Sequence, residues 1–500
     1  MIKNILLASC LLSIGAIASE NETINTDGSE YKAPRLAGDS LAIKSLDKDS
    51  KSNSNSLTDM FSNGKIKGLI RYSAQHRDTS YHSTQSGISP QSNDKQQYSA
   101  IGGYLGYETA TWNNISLGAT FYTAHKAGNN PDDRTGLGGL NEDDSTANSY
   151  AVLGEAYIKY QDDENDFRFG RREMPNYRFI SLSNIRFSPF THEGTTYENT
   201  MIKDTKIILG YITKQKDRNA EHFTDMVRAA RVTKSKTVGV INNNNFIGDG
   251  IYTGENKSMS MLGLTLNKKD FTLEAWDYYV DDFINTIYLY GDYKINLNTD
   301  TSLSFAAQYS SQKDIGNSVA GDVNTWFYGL KAQLALDSGI TLFTAWNEVK
   351  YDESSYDGGT IFVRWGTPQM FNSFQVQDSE TAGTKSIGFG AQFELGKMGI
   401  VPNTVIRFRY ADYNMPDKLS QKFAAQDRTE ATFDLRYSFT KNDGFGIFTE
   451  MKGLSVQFRV AYDNFKTNYN YIAYQDRHGV TFENVRDDFV DTRLYVDYMF

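Results

Sequence analysis

Five arginines near the C-terminal end stand in a pattern that could do chemistry. Arg407 and Arg409 alternate with Ile406, Phe408 and Tyr410, Arg436 with Leu435 and Tyr437, Arg459 with Phe458 and Val460, and Arg493 precedes the alternating Leu494, Val496, Tyr498 and Phe500. Arg71, with Lys67 four residues before it, repeats the pattern near the start of the alternating region. A guanidinium presents a planar fork of donors that can hold a carboxylate through two hydrogen bonds. A row of such forks in a narrow wet passage would pass a carboxylate along, with no single site binding tightly enough to trap it. Arg168 and Arg172, beside Phe167 and Phe169, would add cations elsewhere on the same wall. The alternation admits a second reading, in which each arginine is structural and pairs with a neighbouring acid such as Asp434 or Asp463.

Other chemistries find little support. There is no G-x-S-x-G, no H-E-x-x-H and no glycine-rich phosphate loop, and the six histidines (His76, His82, His125, His192, His222, His478) are scattered. Asn141-Glu142-Asp143-Asp144 has the donors for a calcium ion but reads equally well as a hydrated loop tip. No catalytic residue, no cofactor and no metal site is expected, so the chain does not read as an enzyme.

The residues on either side of each arginine say what must position it. Hydrophobic or aromatic residues at every second position define a strand with one face for lipid and one for water. Such segments, about ten residues long and separated by turns rich in Asn, Asp and Gly, recur from Lys65 to Phe500. The 500-residue chain contains 32 Tyr and 30 Phe, against only 8 Pro, an apolar composition unlike that of a helical fold. No apolar run after residue 20 approaches the roughly 20 residues of a helical membrane span. A mean hydropathy of −0.53 and a net charge of −10 suggest a soluble acidic protein, yet a barrel exposes only every second strand residue to lipid. The excess acid argues against a nucleic-acid partner. Together these features point to an all-β, transmembrane antiparallel β-barrel.

Residues 1–18 read as a signal peptide, with Lys3, an apolar stretch and Ala16-Ile17-Ala18 as the cleavage site; they contain Cys10, the only cysteine. Residues 19–62, rich in Ser, Asn, Asp and Lys, read as a flexible periplasmic arm, and residues 63–500 as the barrel. Short turns belong on one side of such a barrel and long loops on the other. With residues 65–75 as an outward first strand, tight turns fall at 111–114 and 161–166, and long loops at 76–97, 126–149 and 173–203. A strand at 205–213 then returns inward. The next tight turn, at 267–270, keeps phase only if a further strand lies near 226–242. The remaining turns, near residues 297, 337, 397 and 442, and loops, near 312, 351, 417 and 471, bring the count to eighteen strands with both termini periplasmic. The loop at 173–203 carries Arg178, Arg186, Glu193 and Glu198. Folded inward it would narrow the passage and set acids opposite the arginines; folded outward it would be an ordinary surface loop.

Several short segments, in order, resemble the OprD-type outer-membrane porins of Gram-negative bacteria. They include Ser56-Leu57-Thr58-Asp59-Met60-Phe61, Phe169-Gly170-Arg171-Arg172-Glu173, Pro189-Phe190-Thr191-His192-Glu193-Gly194, Leu273-Glu274-Ala275-Trp276-Asp277 and Arg364-Trp365-Gly366. The resemblance runs from about residue 56 to the end. It implies eighteen strands, an inward-folded loop after the fifth, an arginine ladder on the late strands and passive diffusion of small carboxylate-bearing solutes such as amino acids. It also implies that Leu494, Val496, Tyr498 and Phe500 are the signal read by the barrel-assembly machinery. The partners expected are therefore outer-membrane lipid and lipopolysaccharide, that machinery and small anionic or zwitterionic solutes, with the chain a monomer or a trimer. A barrel whose main role is structural or adhesive, acting through large surface loops, is the alternative.

Overall fold

The computed structural model describes residues 24–26, 29–31, 54–83, 94–128, 140, 148–175, 177–180, 186–231, 246–247, 251–366, 370–376, 379–416, 427–440, 451–466, 473–475, 481–483 and 485–500. Eighteen strands close into one antiparallel barrel. The first seven are β1 (Lys65–Ser83), β2 (Asp94–Glu108), β3 (Ile115–Lys126), β4 (Tyr150–Gln161), β5 (Asn165–Arg172), β6 (Thr191–Asn199) and β7 (Thr205–Lys216). Next come β8 (Met259–Asn267), β9 (Phe271–Val280), β10 (Ile284–Asn296), β11 (Thr301–Asp314), β12 (Asn324–Leu336) and β13 (Ile340–Val349). The last five are β14 (Lys385–Glu394), β15 (Thr404–Asn414), β16 (Arg428–Ser438), β17 (Leu454–Phe465) and β18 (Val485–Met499). The seam joins β18 to β1, in register from Met499 opposite Leu69 to Val485 opposite Ser83. Closure leaves no strand edge, as a backbone crossing hydrocarbon requires.

The period-2 pattern works as expected. Ile66, Ile70 and Tyr72 of β1, Phe167 and Phe169 of β5 and Phe305 of β11 are exposed on the outer face, while Arg71, Ser73 and Gln75 are buried on the inner one. The tight turn after β2 is real: Asn113 and Asn114 both adopt positive φ, and Trp112 and Ile115 exchange backbone hydrogen bonds across them.

Eighteen is the expected number, but one strand lies elsewhere. Met226–Ala229 forms a short helix capped by the Asp225 side chain, the segment 232–245 lies outside the described residues, and β7 pairs directly with β8, Met259 opposite Ile212. The missing strand is β6, inside the stretch expected to be loop, so β7 runs in the same direction as β1 rather than opposite to it. On the outer face β6 places Glu193, Thr195, Tyr197 and Asn199, of which only Tyr197 is large and hydrophobic. An alternation of hydrophobicity is therefore hardly visible there. A second difference is the length of β1 and β2, which extend the first hairpin into the stretch expected to be a loop at 76–97. The expected features near residues 417, 442 and 471, most of 126–149, and the acidic tetrad at 141–144 lie outside the described residues.

Residues 1–23, the expected signal peptide included, also lie outside them. The last residues of the expected arm are ordered. Leu57–Ser62 forms helix α1, capped by Ser56, whose Met60 is buried and accepts a hydrogen bond from Ala110 N at 2.9 Å.

The lumen is not empty. Residues from the segments 173–190, 217–231, 315–323 and 350–384 pack inside the barrel against the inner faces of β7 to β13. Met174, Tyr177, Phe179, Met226, Phe362 and Trp365 join Trp276, Tyr278, Tyr288 and Phe327 in one buried cluster. Trp365 donates from Nε1 to Met226 O at 2.9 Å, tying two of these segments together. This largest apolar cluster lies against β7 to β13, whereas most of the buried charged side chains stand on the inner faces of β14 to β18 and β1 to β5.

Candidate functional site

The sheet register puts several of the predicted arginines in one row. Gln392, Arg407, Asp434, Arg459, Arg493 and Gln75 stand opposite one another on six successive strands, from β14 through β18 to β1. Neighbouring strands are about 4.8 Å apart, which brings long side chains on adjacent strands within reach. Arg436 lies in the next row with Gln457, Tyr495 and Ser73, and Arg71 stands opposite Asp497. Arg71, Arg409, Arg436, Arg459 and Arg493 are all buried, and Arg407 is half-buried.

Three of the arginines are held by carboxylates. Arg71 makes the bidentate fork with Asp497, both bonds at 2.7 Å. Arg459 lies 2.9 Å from Asp434. Arg493 donates to Asp491 at 2.6 Å, and the same buried carboxylate accepts from Gln75 at 2.7 Å and Arg77 at 3.0 Å. Arg407 and Arg409 differ, because the partners found for them are neutral. Arg407 donates to the side-chain oxygen of Gln392. Arg409 donates to Thr432 at 3.3 Å and lies over the Phe374 ring, 4.5 Å from its centroid.

The adjoining wall, from β1 to β5, is a mosaic of acids and bases. On β1 the Lys67 side chain is more than half exposed, its amine 4.0 Å from Glu155. Glu155 also accepts from Tyr122 at 2.9 Å and from the backbone N–H of Glu173 at 3.1 Å. Burial, with the Glu155 charge beside it, pushes the Glu173 carboxyl up to about 8. Lys159 pairs with Glu108, and Arg168 with Asp166 at 2.8 Å. Arg172 is buried beside Tyr177, 3.9 Å from Glu198.

The loop after β5 folds inward, which settles the alternative left by its sequence. Arg178 forks onto Glu274 of β9 at 2.7 and 2.9 Å, with both side chains fully buried. Burial works to lower the Arg178 pKa, but the Glu274 carboxylate outweighs it and holds the guanidinium above its ordinary value. Farther along, Arg186 offers its carbonyl to Arg71 Nη1 at 2.9 Å. The loop thus spans the lumen from β9 to β1.

The two acids assigned to this loop are not on it. Both belong to β6, whose alternation sends them to opposite faces. Glu193 faces outward and bridges Arg171 at 2.8 Å and Lys214 at 3.2 Å, away from the lumen. Glu198 faces inward, pairs with Lys206 at 3.0 Å and accepts from Tyr177. Leu494 and Val496 alternate with the buried Arg493, Tyr495 and Asp497, and Tyr498 and Phe500 are exposed, their rings stacked with centroids 5.9 Å apart.

The sequence gives no sign of the second segment that reaches the arginine wall. Gln375 donates to the Asp491 carboxylate at 2.9 Å, and its backbone N–H, with that of Val376, binds Glu430 at 2.9 and 3.0 Å. Its carbonyl accepts from Arg493 at 3.3 Å. Neither Phe374 nor Gln375 stands in an alternating run. Asp491 extends the alternation of β18 by one step beyond Arg493 and is legible in that sense.

Comparison with known proteins agrees with this architecture. The family described as outer membrane porin, OprD family, matches residues 109–500. No curated protein matches. Among solved structures, OccAB3 of Acinetobacter baumannii is 18% identical, with a TM-score of 0.65 over 87% of this chain and 99% of its own. OccK9 (OpdG) of Pseudomonas aeruginosa is 17% identical, with a TM-score of 0.64 over 88% and 99%. OpdK of the same organism, solved with vanillate, is 17% identical, with a TM-score of 0.63 over 88% and 99%. With a closed eighteen-stranded barrel and a family match over more than three quarters of its length, the chain belongs to the OprD family of outer membrane porins.

Proposed function

We propose that this outer-membrane channel for small solutes favours those bearing a carboxylate, amino acids among them, and that the inner-face arginines of β15 to β18 set the preference. The observation that carries the reading is the row Arg407, Asp434, Arg459 and Arg493 on four successive strands, with Arg409 and Arg436 two residues from it. Arg407 and Arg409 hydrogen-bond neutral groups, and neither makes an ion pair with a carboxylate among the described residues. An anion entering a narrow, partly desolvated passage would find forks at successive heights. Lys67 on β1, with Glu155 and Glu173 beside it, would attend the carboxylate and ammonium of a zwitterion. The vanillate in the OpdK structure is a carboxylate, the solute class proposed for this chain. The segments reaching Arg71 through Arg186 and Asp491 through Gln375 would narrow the passage beside the arginines.

The reading extends to topology and assembly: both termini periplasmic, residues 1–18 a cleaved signal, the polar segment before α1 a periplasmic arm, and the alternating C-terminal residues the signal for barrel assembly. Reconstitution in planar bilayers, with reversal potentials under a salt gradient and swelling of vesicles in amino acids, neutral sugars and amines, tests the preference. Conductance steps with anion selectivity, and faster entry of carboxylates than of amines of equal size, are expected. Equal entry of both would remove the carboxylate preference while leaving the channel.

A further inference from the structure

The short-turn end of the barrel carries apolar side chains where water-facing turns would carry polar ones. Helix α1, fastened to the β2–β3 hairpin, exposes Leu57 and Phe61. The β6–β7 turn exposes Met201 and Ile202, and the β14–β15 turn exposes Ile400 and Val401, with Ile202 and Ile400 both more than half exposed. Leu297 does the same where β10 meets β11. These tips are ordered: Ile202 O accepts from Thr205 N at 3.0 Å, and Ile400 N donates to Leu395 O at 2.8 Å.

Their distribution identifies what covers them. Each apolar tip stands four strands on from the last, and the described turns between them are charged or polar: Asp162-Asp163-Glu164, Lys268-Lys269-Asp270 and Asp337-Ser338. A protein partner would need its contacts on one side. Contacts spaced around most of the circumference at the same end of the barrel suit a planar medium that surrounds it. They also continue the lipid-facing surface, since Phe61 lies beside Tyr107, whose hydroxyl bonds its carbonyl, and Ile66 on the outer face follows four residues after α1 ends. Apolar residues on a short helix or turn beside a membrane gain by entering the boundary between headgroups and acyl chains.

We propose that α1 and the apolar turns form a collar of anchors inserted into the membrane leaflet on the short-turn side, fixing the height and tilt of the barrel, with the charged turns between them in water. The test uses single cysteines in a Cys10→Ser background. Ile202→Cys and Ile400→Cys probe the collar, Asp163→Cys and Lys269→Cys the charged turns, each carrying a nitroxide in vesicles of phosphatidylethanolamine and phosphatidylglycerol. Heat-modifiable migration confirms the folded barrel in each case. Power saturation should give a ratio of oxygen to nickel-chelate accessibility at least fivefold higher at positions 202 and 400 than at 163 and 269. Equal ratios at all four positions would overturn the proposal. So would protection of 202 and 400 from both reagents that disappears on dilution in lipid, since that would make a second copy of the chain the occupant.

Discussion

Replacing Arg407 by Gln isolates the charge proposed to draw anions. The new amide can still donate to Gln392, which now binds the arginine, so no buried carboxylate is left without a partner and the barrel should fold normally. What changes is one positive charge on the inner face of β15. For an anion about 7 Å away, a unit charge is worth roughly 0.6 kcal/mol in bulk-like water and roughly 2.4 kcal/mol at an effective dielectric of 20. The lower figure corresponds to about a threefold change in an equilibrium constant at 25 °C, and Arg409→Gln added to it should bring the change to about sevenfold. Reversal potentials in a planar bilayer at about 0.1 M salt measure it as a fall in the anion-to-cation permeability ratio. At about 1 M salt, where the Debye length shrinks to about 3 Å, most of the difference should vanish. The matched control is Arg71→Gln with Asp497→Asn, which removes one charge of each sign from a bidentate pair and should leave the ratio nearly unchanged. If the control shifts selectivity as much as Arg407→Gln, or if Arg407→Gln shifts nothing at low salt, charge on this wall does not set the preference.

Three further outcomes follow from the same contacts. Arg71→Gln alone strands the buried Asp497 carboxylate and should cost about 3 to 5 kcal/mol in urea unfolding; the Arg71→Gln, Asp497→Asn double variant should recover most of it, and additive losses would argue against the pair. Arg178→Met leaves Glu274 buried without its cation and should release the loop after β5 from β9, seen as larger or noisier single-channel conductance; a trace identical to the parent's would mean that the loop is held by its aromatic packing alone. Glu173, with its carboxyl raised to about 8, is mostly neutral at pH 7 and gains a negative charge as pH rises through 8. Anion selectivity should therefore fall between about pH 7 and 9, and Glu173→Gln should abolish that step; persistence of the step in the variant would assign it to another group.

How much of the molecule is legible in its residues depends on how local the determining physics is. Alternation is a property of neighbouring residues, and it is enough to place the arginines of β15 to β18 on the inner face. It fails at β6 for a physical reason. There the outward positions hold Glu193, matched by Arg171 and Lys214, and two small polar groups near Tyr197, so the lipid face is built from an ion-pair cluster rather than a hydrophobic row. The parity of short turns and long loops still requires an eighteenth strand, because a barrel must return to the side it left. Parity counts that strand but cannot locate it, and for that reason Glu193 and Glu198 read as loop residues in the sequence.

Residue order along the chain suffices for a barrel with a lipid face, a polar interior and arginines on that interior, because each follows from the identity of every second residue. Which arginines are neutralised is a matter of closure and loop path. Arg71 and Asp497 are 426 residues apart and meet because the barrel closes, and Arg178 finds Glu274 across the lumen. Gln375 reaches Asp491 from a segment that has no periodicity of its own. Pairing across a seam or a lumen depends on strand register and on the path of long loops, and neither leaves a trace in the spacing of nearby residues.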